Sequence, residues 1–117
     1  MADPRRGEVW LAYTPGQPSD PHQPRFVLVV SADVRNRARQ HVMVVPIFST
    51  GNLGPTRLVI PAEGSGLRYD SVLFCEELTT LDKTFLGLED GPHGRVGAEL
   101  LDAVMLAVRR ALGDFSA

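Results

Sequence analysis

The chain has 117 residues, of which 44% are hydrophobic and 22% charged, and this length and composition are typical of one globular domain spanning residues 1–117. A disordered tail and a collagen-like repeat are therefore excluded. The formal net charge of −2 argues against a surface coated with basic residues for duplex DNA, although residues 1–57 carry a net +3 and residues 58–117 a net −5.

Three features predict a cytoplasmic protein that does not associate with a membrane. The longest apolar runs fall well short of the roughly 18 residues that a membrane span needs. The first six residues contain no apolar segment of the kind found in a signal peptide. The only cysteine, Cys75, cannot form an internal disulfide, which favours a reducing compartment.

Five segments predict β-strands. They are rich in β-branched and aromatic residues or consist of short apolar runs, which are typical of strands covered on both faces, and they comprise residues 8–14, 26–31, 42–48, 56–60 and 71–78. Pro46 lies inside the third strand and predicts a bulge or bend there. Thr79 and Asp82 have the spacing of a weak capping box, which predicts a short helix or turn after the fifth strand.

The clearest element is a C-terminal helix. Its apolar residues have helical spacing and predict one buried stripe, formed by Leu100, Leu101, Val104, Met105, Val108 and Leu112. Glu99 near its start and Arg109 and Arg110 near its end suit the helix dipole, and Gly113 is expected to end it. Five short strands and one long terminal helix predict a small, strongly curved antiparallel β-barrel with the helix packed against it.

Two polar segments separate these elements. Prolines recur at every third position from Pro15 to Pro24, which predicts an extended, exposed loop beside Arg25 that is either a stiff connection or a binding flap. Arg35, Arg37 and Arg39 follow Arg25 within fifteen residues. They form either a local site for a polyanion or a solvated turn or short helix.

Six short motifs follow one another along the chain: RGEVW (6–10), RFVLVVS (25–31), DVRNR (33–37), VVPIFST (44–50), DSV (70–72) and CEELTTLDK (75–83). Their order and spacing resemble those of the MazF/Kid/PemK family of toxin endoribonucleases from bacterial toxin–antitoxin modules. The corresponding family motifs are R-G-[DE]-[IV]-W, R-P-V-L-V-V-S, N-D-x-x-N-R, V-V-P-[LV]-T-S, D-S-V and C-[DE]-Q-[IL]-R-T-[IV]-D-K. The likeness extends from about residue 5 to residue 112.

The resemblance implies a mainly β fold, an SH3-like small β-barrel of about five to seven antiparallel strands with a long C-terminal helix, assembled as a homodimer. It also implies a toxin that is neutralised by a cognate antitoxin protein. Such a toxin is a sequence-specific endoribonuclease that cleaves single-stranded RNA without a metal ion or another cofactor.

Arg25 occupies the position of the family's catalytic arginine. A guanidinium is planar and permanently charged, so it suits the phosphorane that forms when a ribose 2′-hydroxyl attacks the adjacent phosphorus. The family's catalytic threonine corresponds to Phe48, which can neither donate a hydrogen bond nor transfer a proton. Because proton transfer typically contributes ~10²–10⁴-fold, an enzyme without that hydroxyl is expected to be weak rather than inactive.

Ser49 is the nearest replacement for the missing hydroxyl and is expected to orient a phosphate oxygen, with Thr50 as the second choice. Regular strand geometry would direct Ser49 to the face opposite Phe48 unless Pro46 introduced a bulge. Glu76 is the expected catalytic base, with a solvated strand end as the alternative.

Several further residues are candidates for RNA binding: His22, Arg35, Asn36, Arg37, Thr50, Glu77 and Thr79. His22 could transfer a proton near neutral pH if the proline loop folds over the RNA, and Glu77 could bind the edge of an unpaired base. The residues from Arg35 to Arg37 could instead hold the loop that leads into the third strand.

The remaining singular residues favour structural roles. Trp10 is expected in the core or at a dimer contact, His41 at a strand edge and His93 in a solvated turn. None of the histidines has metal-ligand spacing and Cys75 lies within a predicted strand, so no metal site is expected.

Two alternatives to an active nuclease remain open. The CcdB family uses the same barrel to bind gyrase and cuts nothing, but it depends on C-terminal residues to which residues 113–117 (GDFSA) show no obvious match. The second alternative is a catalytically weakened family member that binds RNA or its antitoxin, and Phe48 is the residue that supports it.

Overall fold

The computed structural model describes residues 3–13 and 24–116. The regular elements in this part of the chain are β1 (Glu8–Ala12), β2 (Arg25–Val29), α1 (Asp33–Ala38), β3 (His41–Phe48), β4 (Arg57–Ile60), β5 (Ser71–Phe74), β6 (Thr79–Asp82), β7 (Gly94–Arg95) and α2 (Ala98–Ala111). Single turns of 3₁₀ helix at Cys75–Glu77 and Lys83–Phe85 flank β6. Residues 14–23, which include His22 and the proline loop up to Pro24, lie outside the described residues.

The strands form one antiparallel sheet in the order β4-β5-β3-β2-β1-β7. The central strand β3 pairs with β2 along one edge and with both β6 and β5 along the other. The sheet curls into a half-barrel that carries α2. The predicted fold class, a small curved antiparallel barrel with a C-terminal helix, is thereby confirmed.

Pro46 lies where β3 changes partner. Its pairing with β2 is continuous from Val44 to Pro46, so the predicted bulge is absent from this pairing, and the alternative, a bend, stays a prediction. On the other edge of β3, the pairing with β6 extends as far as Val44, and the pairing with β5 starts at Ile47. The proline, which has no backbone N–H, occupies the gap between these two ladders.

Side chains alternate between the two faces of the sheet, and each face carries an apolar cluster. On one face, Leu101, Val104 and Ala107 of α2 pack against strand residues that include Leu28, Val45, Ile47 and Leu73. On the other face, Trp10 is only 2% exposed and packs against Val27, Val29, Val42, Val44, Leu81 and Leu86. This confirms Trp10 as a core residue.

The helix α2 ends where Gly113 predicts. Gly113 has a φ of +93°, a conformation that favours glycine, and its N–H donates to the Arg110 carbonyl at 2.9 Å. Leu112, expected in the buried stripe, is instead 81% exposed. That expectation is wrong because the helix ends at Ala111 and the chain turns away from the core.

The segment after β5 also differs from the prediction. The strand ends at Phe74, and Thr79 begins β6 opposite Val44 instead of capping a helix. Two β-branched threonines are well suited to this sheet pairing, which takes precedence over the weak capping motif. Asp82 does cap a turn, because its carboxylate accepts the Thr84 N–H at 2.9 Å at the start of Lys83–Phe85.

Within residues 3–13 and 24–116, neither helix is long and apolar enough to cross a membrane.

The segment that begins at Asp33 forms the short helix α1. A solvated turn or short helix was one of the two alternatives predicted for this segment.

Candidate active site

The start of β2 and the end of β3 form an open groove of about 180 Å³. Because the two strands are antiparallel, the first residue of one and the last residue of the other lie at the same end of the sheet. The groove is lined by Pro24, Arg25, Phe26, Ile47, Phe48, Ser49 and Thr50. Three candidates from the sequence, Arg25, Ser49 and Thr50, are thus brought together.

Ser49 lines the same groove as Arg25 and Phe48. The strand β3 ends at Phe48, and Ser49 and Thr50 follow in a bend. Strand alternation therefore does not determine the direction of the Ser49 side chain. Both hydroxyl residues are exposed, so a ligand in the groove can reach them.

The Arg25 guanidinium lies against Phe48. Its Cζ is 3.9 Å from the centre of the Phe48 ring, and its Nη1 donates to the Ile47 carbonyl at 3.3 Å. The β2–β3 register pairs Val27 with Pro46, and continuing it by two residues places Arg25 opposite Phe48. At the position where the resemblance implies a catalytic hydroxyl, this chain therefore supplies a cation–π contact to Arg25.

Phe48 is also part of a longer stack. Its ring packs on that of Phe74, with centroids 4.1 Å apart and an interplanar angle of 30°. Arg57, which is paired with Phe74 between β4 and β5, places its Cζ 3.9 Å from the centre of the Phe74 ring. Four strands thus contribute one side chain each to the series Arg25, Phe48, Phe74 and Arg57, which we call the arginine–phenylalanine stack.

Glu76 lies at the far end of this stack and does not line the groove. Its Oε2 accepts from Nε and Nη2 of Arg57 at 2.8 and 2.7 Å, and its Oε1 accepts from the Thr56 hydroxyl at 3.2 Å. Burial alone would raise the pKa of Glu76, but hydrogen bonds from Arg57, the backbone and Thr56 lower it overall. A lowered pKa weakens Glu76 as a base, and its catalytic role remains a prediction.

Asn36 is a structural residue in this fold. Its side chain is fully buried, and its Nδ2 donates to the Ser31 carbonyl at 3.0 Å. The Ser31 hydroxyl donates to the Asn36 Oδ1 and accepts the Met43 N–H at 3.0 Å. Asn36 therefore holds α1 against the start of β3, one of the two alternatives for this segment, and its amide is not presented to RNA.

Arg35 and Arg37 are exposed on α1, beyond the end of β2 that is opposite the groove. The four residue steps from Arg25 to Val29 alone span roughly 13 Å. Arg25 and the two arginines of α1 therefore lie at opposite ends of β2. Contact between these arginines and RNA remains a prediction and would require a strand that extends past the groove.

Glu77 and Thr79 are exposed but do not line the groove. Glu77 lies in the 3₁₀ turn beside Glu76, and Thr79 begins β6. Their proposed contacts with RNA also remain predictions. His93 is exposed, as expected, and its ring lies edge-on to Phe26 with the ring centroids 5.0 Å apart.

Sequence reasoning missed Arg57 and the contribution of Phe74. Both residues lie in segments predicted as strands, but the strand register that places Arg57 beside Phe74, and Phe74 beside Phe48, is not visible in the sequence. Two signals were available in the sequence: Phe48 stands where the resemblance calls for a hydroxyl, and Phe74 stands where some family members have an arginine.

The half-barrel, its C-terminal helix and the arginine in an open groove define the class of small toxins to which the six motifs pointed. Residues 5–115 match the family described as PemK-like, MazF-like toxin of type II toxin–antitoxin system, and the chain belongs to this family.

Individual relatives agree with this assignment. The chain is 30% identical over 111 residues to endoribonuclease MazF6 of Mycobacterium tuberculosis, covering 92% of this chain and 95% of the relative. A solved endoribonuclease from a mycobacterial species has a TM-score of 0.76 at 25% identity, covering 97% of this chain and 94% of that one. A second mycobacterial endoribonuclease, solved in complex with its cognate antitoxin, has the same TM-score at 24% identity and supports the fold.

Proposed function

We propose that this protein is the toxin of a type II toxin–antitoxin module and that it cleaves single-stranded RNA as a sequence-specific, metal-independent endoribonuclease. The observation that carries the proposal is Arg25 in an open groove together with the hydroxyls of Ser49 and Thr50. Membership of the toxin family and 30% identity to a named endoribonuclease support it.

In the proposed reaction, the ribose 2′-oxygen attacks the adjacent phosphorus and the bond from phosphorus to the 5′-oxygen breaks. The 2′-hydroxyl proton passes to a base, and the leaving 5′-oxygen takes up a proton. The products are a 2′,3′-cyclic phosphate and a 5′-hydroxyl. Arg25 stabilises the charge that develops on the phosphorane oxygens, and Ser49 orients one of them by donating a hydrogen bond.

Two residues, Glu76 and His22, are candidates for transferring the protons in this reaction. Glu76 is held by Arg57 and Thr56 and has a lowered pKa, which makes it a weaker base than an isolated carboxylate. His22 is three residues from Arg25 in sequence, and histidine is the residue type whose unperturbed pKa lies nearest neutral pH. The dependence of the cleavage rate on pH in His22→Gln and Glu76→Gln variants separates the two assignments.

The proposed partners follow from the same family. A toxin of a type II module is expected to bind a cognate antitoxin protein, and we propose that two copies of this chain form a homodimer in the cytoplasm, where the RNA substrate is found. Light scattering on the purified protein tests the dimer. A mass near twice 12.8 kDa supports it, and a mass near 12.8 kDa contradicts it.

The main experiment incubates the purified chain with a long single-stranded RNA in EDTA and maps the new ends. We expect cleavage at short defined sequences with cyclic-phosphate termini, and we expect Arg25→Ala to abolish it. Arg109→Ala is a matched control, because Arg109 pairs with Asp114 at the end of α2, outside the groove. Intact RNA, or cleavage that persists in Arg25→Ala, would refute the proposal.

A further inference from the structure

We propose that Phe48, Phe74 and Arg57 are positioning residues that hold the Arg25 guanidinium in the groove through the arginine–phenylalanine stack. The inference rests on the proposed function, in which Arg25 stabilises the phosphorane. It gives Phe48 a specific task at the position where the family has a hydroxyl.

The geometry excludes base stacking as the task of the two rings. Two groups lie within about 4 Å of the Phe48 centroid, the Arg25 guanidinium at 3.9 Å and the Phe74 ring at 4.1 Å. They must therefore occupy opposite faces of Phe48. Phe74 is covered in the same way, by Phe48 on one face and by Arg57 at 3.9 Å on the other. Neither ring retains a face for a nucleobase.

The stack is a consequence of strand pairing. Phe48 pairs with Val72, so Phe74, two residues further along β5, lies diagonally beside Phe48 on the same face of the sheet. Arg57 pairs directly with Phe74, and the continued β2–β3 register brings Arg25 opposite Phe48. The sheet thus fixes the order of all four side chains before any ligand enters the groove.

The end of the stack away from the groove is fixed by further contacts. Glu76 binds Arg57 through two nitrogens at 2.7 and 2.8 Å. A side chain on Gly51 would approach the Phe74 ring to 2.6 Å, so the loop after β3 closes over the edge of that ring. Phe74 therefore has little freedom to move, and the same restriction passes through Phe48 to Arg25.

Restriction of Arg25 matters for rate because an arginine side chain has many rotamers in solution. A guanidinium already placed against a ring needs less reorganisation when charge develops on the phosphorane. The contribution is therefore expected in kcat and not in RNA affinity.

The decisive variant is Phe74→Leu, because Phe74 neither lines the groove nor replaces the family's hydroxyl. We expect kcat on a short oligonucleotide that contains the mapped cleavage site to fall about twofold to thirtyfold, the range for losing the Arg25–Phe48 cation–π contact that Phe74 supports. The Kd of the uncleavable 2′-deoxy analogue should stay within twofold of wild type. Phe85→Leu is the matched control, since Phe85 packs against the apolar cluster that contains Trp10 and does not line the groove.

A second variant keeps the test valid if Phe74→Leu is poorly folded. Arg57→Gln removes the surface end of the stack, and we expect it to lower kcat about threefold to tenfold. Arg57→Lys keeps a cation over the ring and should recover most of the rate. Arg109→Gln is the control for loss of a comparable surface ion pair.

The outcomes separate this inference from the proposed function. If wild type cleaves and Arg25→Ala does not, but Phe74→Leu and Arg57→Gln match their controls, the proposed function stands and the stack has no positioning role. A weaker Kd for the 2′-deoxy analogue with unchanged kcat would also overturn the inference, because it would indicate that the rings bind the RNA. Absence of cleavage by wild type would refute the proposed function itself.

Discussion

Replacing Asn36 with alanine is expected to destabilise the fold while leaving the chemistry of the groove intact. Asn36 was a candidate RNA contact in the sequence, and its family motif includes an asparagine at this position. In the structure, its amide is fully buried in a hydrogen-bonded group with Ser31, which in turn accepts the Met43 N–H. The substitution therefore separates a structural asparagine from one that binds RNA.

The magnitude follows from the bonds that are lost. Alanine removes the donor to the Ser31 carbonyl and the acceptor of the Ser31 hydroxyl. A buried polar group without its partner costs about 1–3 kcal/mol, so losing both partners should lower the free energy of unfolding by about 2–6 kcal/mol. For a domain of this size, that corresponds to a decrease in Tm on the order of 10 °C.

The assay combines thermal or urea denaturation with cleavage measured at 15 °C, where the variant remains mostly folded. We expect a large loss of stability and a kcat within about twofold of wild type once corrected for the folded fraction. Asn52→Ala serves as the control, because Asn52 is exposed. An Asn36→Ala variant with unchanged Tm and lost cleavage would show that the structural assignment of Asn36 is wrong.

Three further predictions concern the scaffold. Gly94→Ala should lower Tm, because the new Cβ would lie 2.3 Å from the Ser65 carbonyl carbon, and an unchanged Tm would show that the two backbones can separate freely. Hydrogen bonds, chiefly from the Gln40 amide and then from Thr84, lower the pKa of Asp82 to about 2. The Asp82 carboxylate should therefore stabilise the fold above about pH 4, and this stabilisation should be lost as the pH falls towards 2. Asp82→Asn should flatten that part of the curve of unfolding free energy against pH. Burial, and to a lesser extent Glu76, raises the pKa of the Cys75 thiol to about 11, so iodoacetamide at pH 8 should label Cys75 only after denaturation, as followed by mass spectrometry.

Patterns that depend on neighbouring residues were predictable from the sequence. The helical spacing of apolar residues located α2, and Gly113 located its end, because both signals arise within one or two turns of chain. The continuous apolar runs located β2 and β3. At the site, the family likeness located Arg25. The antiparallel pairing of β2 and β3 explains why Ser49 and Thr50 line the same groove as Arg25.

Features that depend on pairing between distant strands were not predictable. The Thr79 segment became a strand because β3 offers it an edge, although its local spacing suggested a cap. Glu76 was expected near the scissile phosphate, but its position is set by Arg57, about twenty residues earlier in the chain. Arg57 itself carries no local signal, since a strand arginine is ordinary until the register shows which ring it covers.

Phe48→Thr decides between the two interpretations of the residue that departs from the family motif. If the missing hydroxyl limits the rate, threonine should raise kcat. If the Phe48 ring positions Arg25, threonine removes both contacts of that ring, at 3.9 Å to Arg25 and 4.1 Å to Phe74, and kcat should fall at unchanged affinity for the 2′-deoxy analogue. Adding Phe74→Leu to Phe48→Thr then tests whether the two rings act together. Once the Phe48 ring is absent, Phe74 can no longer act on Arg25 through it. The second substitution should therefore lower kcat much less in the Phe48→Thr background than in wild type, and equal effects in the two backgrounds would show that Phe74 acts independently of Phe48.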